Sequence, residues 1–347
     1  MENNRETFSA DELSRCLSHY DLGEIRSTQE FTRGSRRAPK VVIEAARGKF
    51  LFKRRVHGRD DLAKVTFTHD IQHRLAQRSF PLPALIPTRD EGKTILLQDN
   101  NVYEMFEYVA GENYDGSKEA TFAAGETLAM YHELLKEYQG QYLPPKGSYH
   151  SARSITLSIC NTVGALPLKN RPPAGAVVAS AGSLKDSYQA CSQHAEMLGL
   201  SRWERQIVHG DWHPGNMLFR NRAIVAVVDY DAARLQQRVI DLANGALQFS
   251  IIGGSGEPKN WPDNVDEIRF ASFIRGYSSI SPLTAAEIEA IPYLMCEALI
   301  AEAVLPIAAT GSFGRIEGFS FLQMIDRKVQ WIRQHIRDLT SNVEYPE

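Results

Sequence analysis

The chain has 347 residues, 43% hydrophobic and 23% charged, with 39 basic side chains against 42 acidic ones and a formal charge of −3. That is ordinary globular usage, long enough for about two domains at roughly 150 residues each, and it excludes a fibrous, disordered or disulfide-stapled chain. The near-neutral balance offers no general attraction to phosphate backbones or anionic lipid, so neither nucleic acid nor a membrane is expected as a partner.

Cys16, Cys160, Cys191 and Cys296 stand far apart without metal-ligand spacing and read as reduced thiols. The opening MENNRETFSADELSR is polar, and no run approaches the ~18 consecutive apolar residues of a membrane span. A cytoplasmic soluble protein is expected, with its oligomeric state left open.

Up to residue 20, apolar positions recur at helical spacing behind Ser9 or Asp11 as N-cap, predicting a short helix through Leu13, Cys16 and Leu17. From Tyr20 the period shortens. EIRSTQEF, KVVIEAA and KFLFKRR, with a turn at Arg47-Gly48, read as three antiparallel strands. Leu62, Val65, Phe67, Ile71 and Leu75 mark a helix between Asp60 and Arg78, ended by the prolines of SFPLPALIP. TILLQD and VYEMFEYV complete a sheet of about five strands, closed by the turn-rich GENYDGS.

Beyond Ser117, an N-cap for TFAAGETLAMYHELLKEY, the helical period dominates. The stretch from Gly140 to Gly182, with LPPKGS and NRPPAG, reads as the least regular part and as a mobile insertion. Thr284-x-x-Glu287 has capping-box spacing and opens an apolar run to Val304, and a last helix is expected from Phe319 to Leu339. The fold class expected is α+β in two lobes, an antiparallel sheet in residues 1–110 and a larger, mainly helical part in residues 111–347.

One segment carries chemistry. His209-Gly210-Asp211-Trp212-His213-Pro214-Gly215-Asn216 is followed by MLF, a turn at Arg220 to Arg222, and AIVAVV ending in Asp229-Tyr230-Asp231, so polar clusters flank a short hairpin. Phosphoryl transfer suits this set, because it needs positioning and charge neutralisation more than covalent help from the protein. Asn216 and Asp229 supply the oxygen donors that Mg²⁺ prefers, the phosphates completing its shell. Asp211, five residues before Asn216, is suited to take the proton of an acceptor hydroxyl. Gly210 permits a tight backbone approach, and His209 reads as holding the loop by hydrogen bonds.

HGDWHPGN with the following VVDYD resembles the aminoglycoside phosphotransferase and choline kinase superfamily, and Asp241-Leu242-Ala243 is similar to that superfamily's segment after the hairpin. Within it, the His-Pro-Gly filling and the Asp-x-Asp ending look most like the homoserine-kinase-like and spore-coat-kinase-like branches. The resemblance spans about residues 20–335 and implies a protein-kinase-like fold with a nucleotide-binding first lobe. It further implies an enzyme that moves the γ-phosphoryl group of ATP, with Mg²⁺, to a hydroxyl of a small molecule that is homoserine-like, choline-like, a sugar or an aminoglycoside. By that match Asp211 is the catalytic aspartate, and Asn216 and Asp229 are the metal ligands. Lys53 is the lysine that steadies the α- and β-phosphates. Glu107 and Val109 belong to the segment Glu104 to Val109, which looks like the hinge that binds adenine through its backbone.

Several readings stay open. Lys49 and Arg55 share the alternate set of Lys53 on the third strand. The phosphate-covering loop, Thr32 to Pro39, has one glycine, Gly34, and KVTFTHDIQHRL lacks the glutamate that the family pairs with its lysine, leaving Asp70, beside His69, as the substitute. Asp231 reads as a second metal-side carboxylate or a turn residue, Trp212 as a core aromatic or an acceptor-site wall, and Glu297 as a recogniser of a cationic acceptor or a surface carboxylate. Asp241 reads as a brace for the loop or a helix cap. His209 and His213 lack the third ligand of a zinc site. Arg33, Arg36 and Arg37 read as gripping phosphates or as solvated, with solvation preferred. The alternative to an enzyme is a catalytically silent, kinase-like nucleotide-binding protein, which the missing glycines and glutamate motivate.

Overall fold

Helix α1 (Ala10–Leu17) starts where the Ser9 side chain accepts the Glu12 amide. After it come β1 (Ile25–Glu30), β2 (Lys40–Ala45), β3 (Gly48–Arg54), α2 (Leu62–Ala76), β4 (Ile95–Gln98) and β5 (Asn101–Glu107). In this computed structural model, residues 5–140, 142–166 and 173–344 are described. The five strands form one antiparallel sheet in the order β1-β2-β3-β5-β4. Strand alternation divides its two faces. Val41, Ile43, Phe50, Phe52, Tyr103 and Met105 form a core with Cys16 and Leu17 of α1, and the rings of Phe52 and Tyr103 stack at 5.5 Å. The alternate residues Lys53 and Glu104 are therefore directed away from α1, and the β3–β5 register sets them directly opposite each other.

The rest of the chain adds α3 (Lys118–Leu135), α4 (Arg153–Ala165), α5 (Ala174–Met197), β6 (Arg205–Val208), β7 (Met217–Arg220), β8 (Ala223–Val227) and β9 (Arg234–Gln237). Helices α6 (Arg238–Ser250), α7 (Glu267–Ile280), α8 (Ala285–Thr310), α9 (Gly318–Gln334) and α10 (Ile336–Glu344) follow. Ser117 caps α3 by accepting the Ala120 amide, and Thr284 and Glu287 form the expected capping box on α8. Helices α3 and α7 cross at two glycines. A Cβ on Gly125 would stand 2.0 Å from the Phe273 carbonyl oxygen, and one on Gly276 would stand 2.1 Å from that of Phe122. No side chain fits either position without moving backbone.

Two expectations change. The stretch from Gly140 to Gly182 contains all of α4 and the start of α5, so its prolines and glycines punctuate helices instead of marking an irregular insertion. Residues 167–172 of that stretch, including part of NRPPAG, lie outside the described residues. The last helix is two, broken at His335, where φ −110° and ψ 20° leave the helical region. Helix α8 is long and apolar enough to cross a membrane, but 78% of its apolar window is buried inside the protein, which makes it a core helix.

The chain divides into two compact units, one of Met1–Asn113, Tyr138–Pro145 and Asn216–Ala233 and the other of Tyr114–Glu137, Lys146–Gly215 and Arg234–Glu347. The β7–β8 hairpin thus belongs with the five-stranded sheet, where Phe219 and Glu112 exchange backbone hydrogen bonds of 2.7 and 2.9 Å.

Candidate active site

In the second unit, β6 pairs with β9 and delivers the chain into His209-Gly210-Asp211. Gly210 turns at φ 76°, a left-handed value that suits glycine. The amides of His209 and Gly210 donate to the two oxygens of Asp241 on α6, at 2.8 and 2.9 Å. Asp241 is buried, with His132 Nε2 at 3.2 Å and His132 Nδ1 in turn 2.8 Å from the Tyr277 hydroxyl. Burial alone would raise the Asp241 carboxyl, but the His132 hydrogen bond and the donating amide of His209 outweigh it and hold it below the usual range. Asp241 therefore braces the loop, as expected from its place in the sequence.

The loop's side chains divide by exposure. Trp212 is 0% exposed, and its indole N–H donates to the Ala124 carbonyl at 3.2 Å, so it anchors the loop in the core and does not wall an acceptor site. His209 is buried too, whereas Asp211 is 46% exposed, with His213 Nε2 at 3.6 Å. The Gly215 amide donates to His213 Nδ1 at 3.0 Å, which in a neutral ring puts the proton on Nε2, facing Asp211. On α8, Glu302 accepts from Gln248 Nε2 at 2.7 and 2.9 Å. Its side chain remains reachable by water, yet desolvation and then the nearby Asp211 charge push its carboxyl up to about 7. Glu297 is fully buried, its oxygens engaged by His150 Nδ1 at 2.9 Å and the Ser151 amide at 3.0 Å, so it is a structural carboxylate instead of an acceptor-recognising or surface one.

In the first unit, Asn216 and Asp229 flank the base of the β7–β8 hairpin, and the Val228 amide donates to the Asn216 carbonyl at 2.9 Å. Asp229 adopts φ 66°, a left-handed conformation unfavourable for a residue with a side chain and common where a site imposes it. Among the described residues no cluster of three or more His, Cys, Asp or Glu could hold a metal by itself. An amide oxygen and one carboxylate suit Mg²⁺ carried on a nucleotide, since the phosphates and water provide the remaining ligands.

On the sheet, Lys53 Nζ lies 3.6 Å from Oε2 of Glu104, which is 0% exposed. Asp70, the expected substitute for the helix glutamate, instead accepts a hydrogen bond from the Tyr138 hydroxyl. The reason is the register. Glu104 is the direct cross-strand neighbour of Lys53, whereas α2 contributes His69, whose Nε2 is 2.8 Å from Glu104 Oε1 and whose Nδ1 is 2.7 Å from the Thr94 hydroxyl. Burial alone would raise Glu104, but Lys53, His69 and Arg55 together hold it well below the carboxylate range.

The rival basic residues are otherwise engaged: Lys49 with exposed Glu44 at 2.8 Å, and Arg55 with Glu104 and Asp231. Sequence reasoning missed Glu104, for which the one available signal was a charged residue inside an apolar strand, and Lys40, which pairs across β2–β3 with Lys53. Burial and then the Lys53 charge lower Lys40, while Asp229 and Asp231 raise it. Two lysines side by side on one face make an anion-attracting surface. Arg33 is not merely solvated, for it donates to Asn113 Oδ1 at 3.1 Å, and its carbonyl accepts from Lys40 Nζ at 3.1 Å. Glu107 ends β5 and Val109 follows two residues later, with the amide of Glu107 bound to the Ala84 carbonyl at 2.8 Å and that of Tyr108 to the Lys49 carbonyl at 2.9 Å.

An antiparallel sheet carrying a carboxylate-paired lysine, joined in one chain to a braced His-Gly-Asp loop and a helical remainder, defines a kinase-like phosphotransferase. The family model of the APH phosphotransferase enzyme family matches residues 28–285, and the chain belongs to that family. Among relatives, it is 25% identical over 293 residues to a homoserine kinase of Sinorhizobium medicae, covering 82% of this chain and 79% of that one. It is 24% identical over 332 residues to a homoserine kinase of Methylocella silvestris, covering 90% and 93%. Solved structures with the same fold include a microcompartment-associated aminopropanol kinase (TM-score 0.69, 14% identity, 96% and 99% covered). An amicoumacin kinase bound to AMP-PNP and Ca²⁺ is also similar (TM-score 0.65, 13% identity, 95% and 94% covered).

Proposed function

We propose that the protein transfers the γ-phosphoryl group of ATP to a hydroxyl of a small molecule in the cytoplasm, with residues 1–110 binding the nucleotide and residues 111–347 supplying catalysis and acceptor recognition. Homoserine is the first acceptor to test, because the named relatives at 24–25% identity are homoserine kinases. The carrying observation is the loop from His209 to Gly215, built so that His209 and Trp212 are buried while Asp211 stays 46% exposed. Two backbone amides on a buried carboxylate hold it there.

In this reading the acceptor oxygen forms a bond to the γ-phosphorus, the bond from that phosphorus to the bridging oxygen breaks, and ADP leaves. The hydroxyl proton passes to Asp211, a step worth about 10²–10⁴-fold in rate. Lys53 and Lys40 hold phosphate oxygens, and the backbone at Glu107 and Val109 hydrogen-bonds adenine. Asn216 and Asp229 hold Mg²⁺, which when bound neutralises charge on the phosphates.

The test is ADP release across homoserine, choline, simple sugars and aminoglycosides. One acceptor should stimulate it, and Asp211→Ala should abolish the stimulation while ATP still raises the melting temperature. Stimulation that survives Asp211→Ala would refute the role of that residue.

A further inference from the structure

Arg55, the first residue after β3, is buried with both terminal nitrogens engaged. Nη2 donates to Glu104 Oε1 at 2.8 Å and lies 2.9 Å from Asp231 Oδ1, Nε lies 2.7 Å from Glu104 Oε2, and Nη1 donates to the Arg59 carbonyl at 3.1 Å. Through Nη2, one guanidinium therefore bridges two carboxylates, with charge-assisted contacts that hold both in place. Glu104 has more positive charge around it than it needs, with both Arg55 and Lys53 within ion-pair distance. Asp231 offsets the excess. Because Arg55 satisfies Glu104 closely, Lys53 keeps a looser 3.6 Å contact and remains available to phosphate.

The second carboxylate matters for where it sits. Asp231 lies two residues beyond Asp229, whose φ of 66° must be imposed by its surroundings. On one side the Val228 amide is bound to the Asn216 carbonyl at 2.9 Å. On the other, Tyr230 is buried with its hydroxyl donating to the Val227 carbonyl at 3.2 Å, and the Ala233 amide donates to the Tyr230 carbonyl at 3.0 Å. Asp231 is thus not a turn residue left to solvent, since its Oδ1 is held by Arg55.

We infer that Arg55 is a positioning residue that clamps Asp231, so that the Asp229 carboxylate is presented to the metal-nucleotide by a turn already formed before binding. This rests on the reading of Asp229 as a metal ligand. The clamp joins the carboxylate beside Lys53 to the turn carrying Asp229, so phosphate binding and metal binding are organised by one buried guanidinium.

The experiment is calorimetric ADP binding to the full chain, with Mg²⁺ and with EDTA, alongside thermal unfolding of the nucleotide-free protein. In the parent protein Mg²⁺ should tighten ADP, and Asp229→Ala should remove that gain. Asp231→Ala should weaken the Mg²⁺-dependent part by about 10-fold, the low end for partners of metal ligands, and leave ADP affinity in EDTA and acceptor KM unchanged. Asp231→Asn, which retains an acceptor for Arg55, should recover most of the loss. Arg55→Lys should lose the same Mg²⁺-dependent part as Asp231→Ala and, because its Glu104 contacts change too, should also weaken ADP in EDTA; the double variant should lose no more of the Mg²⁺-dependent part than either single variant. Parental Mg²⁺ dependence in Asp231→Ala, or a loss as complete as in Asp229→Ala, overturns the clamp alone. A parent protein whose ADP affinity ignores Mg²⁺ overturns the metal reading and the clamp with it.

Discussion

The His209 to Gly215 loop and the β3–β5 face are stabilised by opposite means. The loop is held by backbone, two consecutive amides donating to Asp241. The face is held by side chains, with Lys53, Arg55 and His69 converging on Glu104. Backbone donors fix where a segment runs and leave its side chains free for chemistry, which suits a loop presenting Asp211. Side-chain convergence fixes the charge and reach of particular groups, which suits the phosphate-holding role proposed for this face.

Variants that remove each brace sharpen that contrast. Asp241→Ala leaves two amides and His132 without their buried acceptor and should destabilise by about 3–5 kcal/mol in denaturant unfolding. In folded protein it should lower kcat while the KM for ATP stays near the parent value. Glu104→Gln should cost somewhat less, about 3 kcal/mol, because an amide still accepts from Arg55. Its kinetic mark should be a raised KM for ATP. A kcat loss in both variants with unchanged ATP KM would erase the distinction.

Two carboxylates give the smaller, pH-dependent effects, with opposite signs. Glu104 is depressed in the folded state, so its contribution is present above the unfolded value near 4.5 and is lost as pH falls toward the folded value. The deficit of Glu104→Gln should therefore shrink in acid. Glu302 is raised to about 7, so the folded protein holds the extra proton between about 4.5 and 7 and loses stability as pH rises through that window. Glu302→Gln should melt higher than the parent at pH 8, with the advantage gone at pH 5. An equal shift at both values would mean that the carboxyl is not perturbed.

Much of this was readable in one dimension wherever the interaction is local or periodic. The alternation of KVVIEAA and KFLFKRR marks β2 and β3, Ser9, Ser117 and Thr284 announce their helices, and Asn216 and Asp229 stand, as their spacing predicts, on either side of one hairpin. The helices between 140 and 182 were harder, because prolines at 144, 145, 172 and 173 dominate the local pattern, α4 buries just Ile155, Ile159 and Thr162, and most of the buried stripe of α5 lies beyond Gly182.

Local spacing and period determined the strands, the caps and the order of the chemical residues, since each depends on neighbours a few positions apart. The tertiary structure alone decided which carboxylate accompanies Lys53, that Trp212 faces inward, that Glu297 is buried, and that Arg55 reaches Asp231. Those choices join residues up to 176 positions apart through strand register and burial, and neither is written at any single place in the chain.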